Sequence, residues 1–170
     1  MDVGALLVEE FGRIGPILHR AVRGLDSRGL TFRPDADANT LAWLVWHAGR
    51  VQDAQVADVA GIGQVWVVQG WAQRLGLPFA SSATGYGQSS DEVALVDAPA
   101  ELLLGYYDAV AEQTLDFVRR LQPADLDEVV DESWDPPVTL GVRLVSIAAD
   151  DLQHAGQASY VRGLLDRSGR

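Results

Sequence analysis

The chain predicts an all-α protein built on four long amphipathic helices packed as a bundle. Apolar residues recur at three- and four-residue spacing over four separate stretches, and residues that start or stop helices flank most of them. No convincing strand ladder competes with this pattern. The 170 residues are read as a single domain, 1–170, of a size able to bury a real core.

The first helix is expected over residues 2–24, with Leu6, Leu7, Phe11, Ile14, Leu18 and Val22 on its apolar face. Pro16 lies inside this pattern and implies a kink or break near Gly15. Residues 24–38 connect, with Phe32 packing beneath the bundle. Asn39 or Thr40 caps the second helix, which runs to about residue 60 through Leu41, Leu44, Val45, Ala48, Val51 and Val56. Gly61-Ile62-Gly63 ends it. A short helix over 64–76 and a Gly/Ser/Pro-rich loop over 77–90 form an insertion before the third long helix.

Asp97 is the expected cap of that third helix, with Pro99 in its first turn and Glu101 behind it. It runs to Leu121 through Leu102, Leu103, Tyr106, Val110, Leu115 and Val118. Residues 124–138 read as irregular or a short hairpin. Thr139 caps the last helix, which reaches about Leu165 through Leu140, Leu144, Ile147, Ala158 and Val161.

Composition excludes several functions. A net charge of −11 argues against nucleic acid, which needs clustered cations. The absence of Cys excludes disulfides, thiolate ligands and a cysteine nucleophile. No uninterrupted apolar run is long enough for a membrane span, and no basic-plus-apolar leader opens the chain. A cytoplasmic protein is expected.

The chemistry concentrates in Ala149-Asp150-Asp151-Leu152-Gln153-His154-Ala155-Gly156-Gln157. Asp150 and His154, four residues apart, share one helix face. His47 lies in the largely apolar segment Leu41-Ala42-Trp43-Leu44-Val45-Trp46-His47 of another helix. Two imidazoles and a carboxylate on two helices form a facial set of metal ligands with open positions. Asp151, three residues before His154, also faces its side, and is an alternative ligand, a residue orienting one, or a solvated side chain. His19 reads as surface or loop packing. Gly156 suggests a close helix approach. Gln157 either hydrogen-bonds a ligand or a carbonyl, or is exposed; Arg162 either pairs with an acid on another helix or is a surface residue. Of Trp43, Trp46, Trp66, Trp71, Tyr86 and Trp134, two or three are expected to border a cavity and the rest to pack the core. Trp43, Trp71, Tyr86 and Gln157 are taken as the pocket candidates.

The stretch from His154 to Gln157, followed by Tyr160 and Arg162, resembles the last helix of the DinB-like superfamily. Gly70-Trp71-Ala72, Arg74, Leu77-Pro78-Phe79 and Gly85-Tyr86-Gly87-Gln88-Ser89 resemble the middle segment of its actinobacterial-type members. The resemblance implies a four-helix bundle of DinB type with a metal triad: one His on the second helix and two His four apart on the fourth. These positions fall on His47, Asp150 and His154, so an Asp stands where the family pattern has a His. That spacing favours Asp150 over Asp151. The implied cofactor is a divalent metal (zinc, nickel, iron or manganese), with mycothiol as a possible co-substrate and a homodimer as the assembly. The implied activity is that of a thiol-dependent isomerase or S-transferase acting on a small molecule, and a chain without Cys suits a mechanism that activates an external thiol. The alternatives are a non-catalytic, dimeric metal- or ligand-binding bundle of stress response, and a bundle whose site has decayed.

Overall fold

The computed structural model describes residues 1–169. Its elements are α1 (Val3–Gly12), α2 (Ile14–Val22), α3 (Ser27–Leu30), α4 (Leu41–Ala60), α5 (Val65–Val68), α6 (Trp71–Leu75), α7 (Ser90–Ala94) and α8 (Ala100–Val118). A 3-10 turn at Pro123–Asp127 then leads to β1 (Val129–Asp131), β2 (Val138–Thr139) and α9 (Leu140–Arg167). The protein is all-α apart from one short antiparallel hairpin, in which Val129 faces Thr139 and Asp131 faces Val138. No helix among the described residues is long and apolar enough to cross a membrane.

α4 is the centre of the molecule. It packs along both α8 and α9, while α2 packs on those two helices and α1 on α8. Every residue from Leu41 to Asp53 is buried. A helix covered on all sides needs no single apolar stripe, and α4 carries Trp46 and Ala42 inside as well as the six positions its periodicity marks. Gly49 allows α8 to come close: a Cβ there would sit 3.0 Å from the Tyr106 ring.

The caps follow local chemistry. Thr40 Oγ1 accepts from the backbone N–H of Trp43 at 3.0 Å, and Thr139 caps α9 by accepting from Val142. Gly61 closes α4 at φ 63°, a left-handed conformation suited to glycine. The first helix breaks at Arg13, so Pro16 falls in the first turn of α2, where its missing N–H costs nothing. Leu6 is exposed rather than part of the core.

Three expectations are corrected. Asp97 does not cap α8; its carboxylate accepts from Ser27 Oγ at 2.9 Å and ties α3 to the bundle. α8 instead starts after Pro99 with no side-chain cap. Residues 64–76 form two short helices, because Gly70 turns the chain at φ 71°. The end of the expected loop contains α7, opened by a capping box in which Ser89 and Glu92 satisfy each other's backbone N–H groups.

Deleting buried methylenes leaves a cavity as well as losing transfer energy. Ile147, fully buried on α9, should therefore cost about 2–5 kcal/mol as Ile147→Ala. Glu112, exposed on α8, should stay within about 0.5 kcal/mol as Glu112→Ala. Urea denaturation of both proteins checks the inward face of α9.

Candidate metal centre

α4 and α9 bring three side chains to one point. His47 sits midway along α4, and Asp150 and His154 lie one turn apart on α9. His47 Nε2 is 4.0 Å from Asp150 Oδ2, and His154 Nε2 is 3.6 Å from Asp150 Oδ1. One potential ligand atom from each residue lies within 4.8 Å of the other two. The imidazole rings meet nearly edge to face, 4.6 Å between centroids.

Each imidazole is held through its other nitrogen. His47 Nδ1 contacts the Thr84 carbonyl at 2.6 Å. A carbonyl only accepts, so this nitrogen carries the proton and Nε2 keeps its lone pair. His154 Nδ1 lies 3.1 Å from Gln157 Oε1, an acceptor one turn further along α9. Trp43 completes the wall. It stacks on His47 at 4.3 Å and 12°, meets His154 edge-on, and donates its indole N–H to Gln88 Oε1 at 2.7 Å. Gly85 lies against both rings at φ 97°. A Cβ there would stand 2.6 Å from His47 Nδ1 and 3.1 Å from Trp43.

The three groups are electrically distinct. Burial holds His47 below the usual histidine range; the charge on His154 adds to this, and the Thr84 bond and Asp150 oppose it. His154 is also depressed by burial, but its pairing with Asp150 and its contact with Gln157 outweigh that and raise it overall. The same pairing with His154 lowers Asp150, against its partial burial. Burial thus favours the neutral form of His47, while the pairing of Asp150 with His154 favours an ionised carboxylate and a protonated imidazole.

The donor set fits a divalent cation. Asp150 Oδ2 is buried with no hydrogen-bond partner among the described residues, both Nε2 atoms point toward the same carboxylate, and both Nδ1 atoms are already engaged. Two imidazoles and one carboxylate suit borderline cations such as zinc, nickel, iron or manganese. The Asp150 side chain is 39% exposed, against 7% for His47 and 14% for His154, while its Oδ2, the oxygen facing His47, is buried.

The other candidates separate. Trp43 and Gln157 belong to this centre. Trp71 does not: it is buried against Tyr106 and under Arg74, whose guanidinium lies 3.6 Å from its ring centroid. Tyr86 follows Gly85 but extends into solvent. Trp46 and Trp66 pack the core, and Trp134 is exposed. His19 is a surface residue paired with Asp108. Arg162 pairs with Asp166 on its own helix and donates to the carbonyls of Ala21 and Arg23. A Cβ at Gly156 would meet nothing within 4 Å, so no close approach inside this chain explains that glycine. Asp151 is fully buried, and neither of its oxygens has a hydrogen-bond partner among the described residues. It therefore neither orients a ligand nor sits on a solvated face. Sequence reasoning misses the Thr84 carbonyl and the close approach of Gly85. The run Gly85-Tyr86-Gly87-Gln88 is the one available signal, since paired glycines mark tight backbone approach.

Comparison with known proteins finds a family and a similar fold. The model of a family described as mycothiol-S-transferase matches residues 16–167. A crystal structure described as the conserved protein of locus from Enterococcus faecalis superposes with a TM-score of 0.89. That likeness covers 95% of this chain and 96% of that chain, at 28% sequence identity. Comparison with curated proteins finds no match.

Burial, with the charge of Asp150 beside it, pushes the Asp151 carboxyl well above its ordinary range. Such an acid favours the fold only while protonated. Its contribution is full below the unfolded value of about 3.9 and is lost as pH rises through the folded value. Asp151→Asn removes that loss. In metal-free protein the variant should gain stability over the unsubstituted chain as pH rises above about 4, which paired urea titrations at pH 5 and pH 8 would measure. A constant difference across that window would show that Asp151 is ionised in the fold.

Proposed function

The chain belongs to the mycothiol-S-transferase family, and from that premise we propose that it is a divalent-metal-dependent transferase joining a low-molecular-weight thiol of the mycothiol type to an electrophilic small molecule. The supporting observation is the convergence of two imidazole Nε2 atoms and a buried, unpartnered Asp150 oxygen at one point. When bound there, a divalent cation supplies the positive charge that favours a thiolate over a thiol.

The chain's own residues do the rest. His47 presents the Nε2 lone pair of a ring locked through Nδ1, and His154, likewise locked, would do so once its Nε2 proton is given up. Asp150 contributes one negative charge and tempers the charge of the cation. Trp43 closes one side of the site against water. Without Cys in the chain, the nucleophilic sulfur comes from the co-substrate. Its lone pair forms the new carbon–sulfur bond; the electrons of the bond attacked leave with a displaced group, or move onto the opened epoxide oxygen or the adjacent carbon, and the thiol proton passes to solvent or to that atom. Among the described residues no further histidine or glutamate joins the triad to activate water, which favours thiol transfer or thiol-assisted isomerisation over hydrolysis.

The same reading takes 1–170 as one cytoplasmic domain, a DinB-type four-helix bundle in which α1 and α2 are one broken helix. It also takes the protein as a homodimer. Val142, Val145, Ala149, Gly156 and Tyr160 form an exposed, uncharged stripe along α9, suited to contact between two chains of net charge −11. Sedimentation velocity at micromolar concentration should give a dimer that Val145→Glu shifts toward monomer; a monomer in the unsubstituted protein would refute it.

Activity should require both an added thiol and a divalent metal, and should vanish with a chelator and in His47→Ala. His154→Ala should weaken metal binding at least tenfold, since the loss of a coordinating group exceeds the roughly 10–100-fold typical of groups that support a ligand. Elemental analysis of purified protein, followed by assay of unsaturated acids, epoxides and halogenated aromatics against several thiols, tests both. Turnover that survives metal removal would overturn the proposal.

A further inference from the structure

The segment 81–88 crosses α4 directly over the candidate centre, yet it belongs to no helix or strand. Few of its ties are backbone to backbone; Ala83 reaches Ala80 and Gln88 reaches Gly85. Its remaining anchors come from one face of α4, where Trp43, His47 and Arg50 follow at spacings of four and three. Trp43 donates to Gln88, His47 to the Thr84 carbonyl, and Arg50 to the carbonyls of Ala83 at 3.0 Å and Ser81 at 3.2 Å.

Arg50 is fully buried. Its remaining donors reach Tyr106 Oη and Gln64 Oε1, both at 3.1 Å. Asp53 Oδ2, at 3.4 Å, balances its charge, and Trp66 lies beneath its guanidinium. Asp53 is itself fixed by the backbone N–H groups of Val65 and Trp66, each at 2.8 Å. The guanidinium is thus held from several sides, and the two carbonyls it grips lead directly into Thr84.

We propose that Arg50 is a positioning residue for the metal centre: by gripping Ser81 and Ala83 it fixes the Thr84 carbonyl, which holds His47 with Nδ1 protonated and Nε2 bare toward Asp150. The role in metal binding rests on the proposed function of the centre. The role in fixing the histidine tautomer does not. Gly85 is the second half of the device, since only a residue without a side chain lets the segment press on His47 and Trp43 at φ 97°.

The test uses metal-free protein, with zinc as the probe metal. Arg50→Lys keeps the charge beside Asp53, but a single ammonium cannot reproduce the planar fork that spans two carbonyls. Arg50→Gln combined with Asp53→Asn removes the buried pair together, so neither charge is left unmatched. Gly85→Ala displaces the segment without touching the guanidinium. Nitrogen-15 histidine spectra should show His47 as the Nδ1–H tautomer in the parent protein and a mixture in all three variants. Helical circular dichroism should be retained, and zinc affinity should fall about 10–100-fold. A folded Arg50 variant that keeps both the tautomer and the zinc affinity of the parent would overturn the proposal. If neither Arg50 variant folds, an unchanged tautomer in Gly85→Ala overturns it. If the parent binds no zinc, the metal reading fails and the tautomer comparison still decides the role of Arg50.

Discussion

Burial of α4 on every side is the constraint on which the molecule turns. A helix in that position leaves few polar groups unmatched, because a buried donor or acceptor without a partner costs about 1–3 kcal/mol; among the described residues the Trp46 indole N–H is one that stays unpaired. Yet His47, Arg50, Gln52 and Asp53 all lie within its buried run. Each draws other parts of the chain to it. Gln52 donates to Thr114 on α8. Asp53 takes the first N–H groups of α5, and Arg50 takes the segment that follows α6. The loops between α4 and α8 are therefore shaped by the polar needs of the central helix as much as by their own turn residues. His47 Nε2 and the Asp150 oxygen facing it stand apart from this scheme. Their matching lone pairs, with no proton donor between them, mark the centre as a place for a cation.

The electrostatics of the centre extend that logic. Two adjacent aspartates on α9 have opposite fates because a helix turns about 100° per residue. Asp150 faces the histidines, whose pairing favours its ionised form; Asp151 faces the core, where burial raises both its own carboxyl and the neighbouring Tyr107 phenol. Pairing with Asp150 raises His154, while burial lowers His47. A cation entering this site would compete with a proton for His154, which would link its binding to pH through that residue.

Much of this was legible in the sequence, for identifiable reasons. Helical periodicity located the long elements, and Thr40 and Thr139 declared their starts because a hydroxyl before an apolar run has one common use. Asp150 and His154 could be paired because a spacing of four puts them on one helix face, and the family resemblance joined His47 to them. The Ser89–Glu92 capping box was equally readable, but it lay inside a stretch whose glycines and serines outweighed it. Asp97 looked like a cap and is a tertiary tie to Ser27, a contact that local sequence does not encode. The hold on His47 was invisible for a deeper reason: its partner is the Thr84 carbonyl, and every residue has a carbonyl. Only the three-dimensional path of the segment, set from Arg50, gives that one a role.

The carboxylate at position 150 also carries a consequence for chemistry. Three neutral histidines would leave the full charge of a divalent ion on the centre, whereas two histidines and Asp150 cancel part of it. On the proposed reading, a thiol co-substrate beside that ion would gain less acidity from it and keep more of its nucleophilicity, since nucleophilic reactivity of sulfur falls as its pKa falls. Partial neutralisation by Asp150 would then favour transfer of the sulfur over its sequestration, so a carboxylate at this position fits a working centre as well as a histidine does.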